Sequence, residues 1–186
     1  MGQDERDIFG TPASTPADEG FARFAGVATP LCAFDAEGSH VTVWQAGHSS
    51  VDGMPSGIDG DLNHIVYLHV YDGDGLDVLN ECLRIGCPPF TLVAIKPACW
   101  NDDLTPWECP GLFADDAPFA GHAIRQLRLL EEKIIPQVER ECSKPGTPRI
   151  CRTIAGYSLA GLFATWAAFN SSAFSRIASA SGSLWY

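Results

Sequence analysis

The chain has 186 residues, 46% of them hydrophobic, with 23 acidic side chains against 12 basic ones. That length suffices for one ordinary domain with a sizeable core. The formal charge of -11 repels phosphate backbones and anionic lipid, which makes nucleic acid and membrane surfaces poor partners.

Residues 1–6 are acidic with no apolar run behind them, so neither a signal peptide nor a transmembrane span is expected, and the chain reads as cytoplasmic. Seven cysteines, an odd number without a C-x-x-C pair, fit neither a disulfide framework nor a zinc site. They read as reduced, mostly structural thiols, with no metal and no cofactor implied.

Residues 1–20 are polar and rich in Pro, Ala, Asp and Thr, a composition that predicts a loose arm, with residues 21–186 forming one domain. Two short strands are expected at 21–34 and 40–45, joined by the turn Asp35-Ala36-Glu37-Gly38 and opening the sheet in antiparallel fashion. Residues 47–63 read as a long surface loop. From His64 strands and helices alternate, the pattern of a parallel sheet covered on both faces. The expected elements are a strand at 64–71, the tight loop Asp72-Gly73-Asp74-Gly75, a helix at 76–85 ended by Gly86, and a strand at 90–95. Residues 96–118 hold four prolines and read as a long loop past that strand's carboxyl end, where open parallel sheets bind ligands.

A helix over 121–140 puts Ile124, Leu127, Leu130, Ile134 and Val138 on one face, with Pro136 kinking it. Residues 143–148 form a turn-rich link. A buried strand at 150–155, an apolar helix at 159–169 and a strand at 176–180 complete the chain.

Between that buried strand and its helix stands Gly156-Tyr157-Ser158-Leu159-Ala160-Gly161. A sharp strand-to-helix turn exposes and orients a serine hydroxyl, and the strained backbone it needs tolerates only small neighbours, here Gly156 and Ala160. The helix behind Ser158 points its amides and positive dipole end to where an oxyanion forms. G-x-S-x-[AG] alone is a weak signal, and a plain strand-to-helix turn is its alternative; the surrounding strand–helix units favour the elbow.

On these residues the chain resembles the alpha/beta-hydrolase superfamily, and within it the putative esterases that include esterase D and the ferric-enterochelin (siderophore) esterases. The likeness covers roughly residues 60–186. It rests on Tyr71-Asp72-Gly73 after the third strand, on Asn101-Asp102-Asp103-Leu104-Thr105-Pro106-Trp107, on Lys133-Ile134-Ile135-Pro136, on the elbow, and on Ser181-Gly182-Ser183-Leu184-Trp185. The resemblance implies an α/β fold, a mainly parallel sheet with helices on both faces. It further implies Ser158 as nucleophile, the Leu159 amide and an amide near Asp72 and Gly73 as oxyanion donors, and Asn101, Trp107, Tyr157 and Trp185 as pocket walls. For Trp107 a packing role stands beside the ligand role.

In this superfamily an acid and then a histidine follow the serine, yet residues 159–186 contain no Asp, Glu or His. Of the upstream histidines His69 is the nearest to a stand-in, with a hydrogen-bonded core role as its alternative. The expectation is a fragment whose C-terminal strands, with the acid and the base, lie beyond Tyr186. The implied function is a serine esterase acting through an acyl-enzyme on a small-molecule ester, weakly active or inactive as it stands. A non-catalytic hydrolase-like binding module is the alternative. Self-association through an exposed sheet edge is the expected partner behaviour.

Overall fold

The computed structural model describes residues 29–46, 62–111, 117–142 and 149–186. The expected N-terminal arm, the start of the first strand, most of the 47–63 loop and the 143–148 link lie outside the described residues.

Strands β1 (Cys32–Ala36) and β2 (Ser39–Ala46) pair as an antiparallel hairpin, with only Glu37 and Gly38 left to turn the chain. Glu37 at that tip forms an ion pair with Lys133. β2 runs antiparallel to β4 (Phe90–Lys96), and from there β3 (Leu62–His69), β5 (Arg149–Tyr157) and β6 (Arg176–Ala180) are parallel, in the sheet order β1-β2-β4-β3-β5-β6. β3 thus begins two residues earlier than the alternation suggested and ends at His69, because pairing with β5 starts at Leu62 opposite Arg149.

Side chains alternate across the pleat, so each strand feeds two cores. On one face Leu79 of helix α1 (Leu76–Arg84) packs with Trp44, Ala46 and Leu92. On the other, Val41, Val43, Ile65, Tyr67, Val93, Ile95 and Ile154 meet the remaining long helices in a larger cluster. The strands read as nearly continuous apolar runs because both faces are covered.

The stretch expected as a plain loop after β4 contains a short helix, α2 (Trp100–Asp103), and a bridge between Cys109 and Phe119. Its Asp103 is buried, receiving the Cys99 amide at 2.8 Å and the Arg125 guanidinium at 2.8 Å. Asp102 receives the Ala120 amide at 3.0 Å. These two carboxylates hold the loop's shape, which the alternation of Pro and Asp in the sequence does not reveal.

The long helix divides into α3 (Ala123–Leu129), a π-helical turn (Leu130–Ile134) and α4 (Ile135–Cys142). Pro136 has no N–H to offer the carbonyl of Glu132 and its ring crowds that group, so the bonding shifts to the i−5 spacing, with the Ile135 amide on the Leu130 carbonyl. Leu127, Leu130, Ile134 and Val138 are buried as their spacing requires. Ile124 is not: it is 47% exposed, and Ala123, anchored by its amide to the Thr105 carbonyl at 3.0 Å, takes the inward position. Helix α5 (Leu159–Asn170) is apolar around most of its circumference and accordingly buried over most of its length. No helix among the described residues is long and apolar enough to cross a membrane.

Candidate active site

Ser158 stands between the last residue of β5 and the first of α5, at φ 57° and ψ −122°. A non-glycine residue holds such angles only when its surroundings over-determine them. Three main-chain bonds do so: the Ser158 amide donates to the Ala180 carbonyl at 3.1 Å, and the Ser158 carbonyl accepts from the Leu162 amide at 3.0 Å and the Ser183 amide at 3.0 Å. The turn is so tight that a Cβ on Gly156 would lie 2.2 Å from the carbonyl carbon of Ala160. A Cβ on Gly161 would come within 2.9 Å of the Gly182 Cα. The small residues around the serine are therefore a steric requirement, and Ala160 fits in full burial where a second glycine was the expected type.

A cavity of about 340 Å³ opens beside the serine, lined by Trp100, Asn101, Ala117, Phe119, Ser158, Leu159, Ser183 and Trp185. Of the residues expected at the site, the structure brings together Ser158, Leu159, Asn101 and Trp185. Leu159 is the first residue of α5, so its amide has no acceptor within its own helix and stands at the positive end of the dipole.

Four expected residues do not line this cavity. Trp107 packs its ring against Tyr186 at 5.4 Å between centroids and accepts the Tyr186 hydroxyl on its carbonyl. Tyr157 is 66% exposed. Asp72 is tied to Lys96 at 2.7 Å, and that bond, with the Gly73 amide turned onto the same carboxylate, holds its carboxyl below the usual carboxylate range. The Asp72–Gly73 turn is thus engaged with its own neighbours.

Among the described residues the lining contains no titratable side chain. The Ser158 hydroxyl instead meets the hydroxyl of Ser183 at 3.2 Å, and Ser183 is buried. His69 is a core residue: its Nε2 lies 3.1 Å from the Gln126 amide nitrogen, and its ring packs edge-on against Phe163 at 4.8 Å. Burial pushes its pKa down to about 3.

Sequence reasoning missed Ser183, Trp100, Ala117 and Phe119 as site residues. Ser183 stands in the Ser181-Gly182-Ser183-Leu184-Trp185 block that carries part of the family likeness. What would have assigned it, the approach of Gly182 to Gly161 that brings β6's exit against the elbow, is a long-range contact with no local signature.

No family model matches the chain. Siderophore hydrolase EstA from Aspergillus nidulans is similar in structure, with a TM-score of 0.57 and 25% identity over 80% of this chain and 55% of that one. The enterobactin hydrolase IroE, solved in complex with DFP, gives a TM-score of 0.57 and 25% identity over 88% of this chain and 68% of that one. These structural neighbours support an esterase family of enterochelin-esterase type. The chain's fold is the alpha/beta-hydrolase fold, with strand order and covering helices as described. A relative by sequence is the uncharacterized protein YbbA of Bacillus subtilis (strain 168), 32% identical over 140 residues, or 72% of this chain. The chain spans 56% of the length of YbbA and 55% of that of EstA.

Proposed function

We propose that this chain carries the nucleophile and one oxyanion donor of a serine esterase acting on a small-molecule ester, with the general base supplied from outside the described residues. The observation that carries the reading is the Ser158 backbone, at φ 57° on the turn into α5 and beside a 340 Å³ cavity. In the reaction the Ser158 oxygen bonds to the acyl carbon and the carbonyl electron pair moves onto its oxygen, which accepts a hydrogen bond from the Leu159 amide. The alcohol then leaves, taking a proton, and water releases the acyl group from Ser158. Trp100, Phe119 and Trp185 offer apolar and aromatic walls to the substrate, and Asn101 a polar group. The names of EstA and IroE make a siderophore ester one candidate substrate class.

The weak point of the chemistry is the hydroxyl proton. Ser183 accepts or donates a hydrogen bond there but is no base, and among the described residues no imidazole or carboxylate lines the cavity. Loss of triad members lowers kcat by roughly 10⁴ to 10⁶-fold and leaves about 10³ to 10⁴ over water. Residues 1–186 alone are therefore expected to hydrolyse an activated aryl ester barely above background, with Ser158→Ala removing what remains. Turnover at ordinary enzyme rates would mean that a base within this chain reaches the serine, and turnover unchanged in Ser158→Ala would remove the serine from the mechanism.

The same missing base favours a second reading, a binding module that keeps the pocket without the reaction. Saturable binding of an ester at the Trp100, Phe119 and Trp185 walls, with no acyl transfer to Ser158 over long incubation, would support it.

A further inference from the structure

Helix α1 ends in a Schellman cap. The Cys87 amide donates to the Cys82 carbonyl at 2.9 Å and the Gly86 amide to the Leu83 carbonyl at 3.1 Å, with Gly86 in the left-handed region at φ 71°. This cap brings the side chains of Cys82 and Cys87, joined by the bond that spans more residues, against one another, a place usually filled by an apolar pair. Here both are cysteines, set side by side across the cap. Each is partly open to solvent. Pro88 and Pro89 follow at once and stiffen the exit into β4.

We propose that Cys82 and Cys87 form a redox-active dithiol that a low-molecular-weight disulfide, such as oxidised glutathione, converts into an intramolecular disulfide. One protein thiolate attacks the reagent's S–S bond, forms a mixed disulfide and expels the first reagent thiolate. The second protein thiolate then attacks the protein-bound sulfur and expels the other. Two protein thiols are oxidised, one reagent disulfide is reduced to two thiols, and the two protons pass to the reagent thiolates or to solvent. Burial, and next the neighbouring Cys87 sulfur, hold the Cys82 thiol above its ordinary range.

Cys32 and Cys142 also lie near one another, but on different elements with no shared helix cap. Cys32, Cys109 and Cys142 pack against the main core cluster, Cys151 is buried, and the Cys99 thiol bonds to Asp102 at 3.2 Å. The loop closed between residues 82 and 87 is short, so the bond clamps the end of α1 and constrains the unfolded chain little. The pair lies at the amino end of β4, whereas Ser158 follows the carboxyl end of the parallel strand β5. Oxidation is therefore read independently of any ester chemistry.

The test is incubation of the folded chain with oxidised glutathione, alkylation of the remaining thiols, and tryptic peptide mapping. Cleavage after Arg84 separates the two cysteines, so the bond shows as two linked peptides released by dithiothreitol, and fragment sequencing places it at Cys82 and Cys87 with Cys32, Cys99 and Cys109 of the same peptides alkylated. In Cys82→Ser a stable glutathione adduct is expected on Cys87, outlasting the transient wild-type adduct by at least about tenfold. Wild-type chain that keeps glutathione on either cysteine, joins one of them to a different cysteine, or shows no reaction at this pair would overturn the proposal.

Discussion

At Ser158 the backbone does what the side chain alone cannot. A serine hydroxyl in water is a poor nucleophile, and the φ of 57° costs of order 1–3 kcal/mol that the rest of the fold must supply. That cost is bearable because Gly156, Ala160, Gly161 and Gly182 let three segments meet within ordinary van der Waals limits. Gly156→Ala places a methyl 2.2 Å from main-chain atoms of Ala160, and backbone cannot step aside as a flexible side chain would. Urea unfolding should show a loss of about 3 kcal/mol or more, or no folded protein at all. A variant as stable as the parent would mean the elbow is looser than described.

His69 makes a second prediction at this scale. Its folded pKa near 3 lies below the unfolded value of 6.5, so the unfolded chain binds more protons between those limits. The stability contributed by keeping the ring neutral is complete above about pH 6.5 and falls as the pH drops toward 3. Between pH 7 and pH 5 this amounts to about 2 kcal/mol. In His69→Leu that acid-side loss should shrink by a similar amount whatever the variant's stability at pH 7, as measured by urea titrations at both values. An unchanged slope would show that other groups carry the acid sensitivity.

The elements that were legible in the sequence are those whose burial is continuous. β4, β5 and α5 are apolar runs covered on both sides, and their limits fall within a residue or two of the expected ones. The serine turn was legible for the same reason, since small residues between a buried strand and a buried helix leave few alternatives. The π turn was less so. Pro136 announced a break, but its expression as a shifted bonding register depends on helix packing that carries Leu130, Ile134 and Val138 into the core together. Least legible was the 96–118 stretch, where Asp102 and Asp103 look like solvated charges in the sequence. They act instead as acceptors for the main chain of a folded loop. The site inherits this pattern: Ser158, Leu159, Asn101 and Trp185 were found from motifs, while Ser183 and Phe119 arrive through tertiary contacts.

Across the whole molecule, the antiparallel hairpin at one side of the sheet and β6 at the other frame a core with two faces. Every residue of β6 is exposed, and among the described strands it pairs only with β5. An exposed strand carrying Ile177 invites pairing with another chain. We expect residues 1–186 to self-associate with rising concentration in light scattering, and Ile177→Lys to reduce that association. A parent chain that stays monomeric throughout would show the edge to be protected.

The central claim, that Ser158 is an oriented nucleophile lacking its base among the described residues, is tested most directly by a fluorophosphonate probe followed by mass mapping of the adduct. The expected result is slow labelling confined to Ser158, absent from Ser158→Ala. Labelling of Ser183 or another serine instead, or none on Ser158 after prolonged exposure of a folded chain, would contradict it.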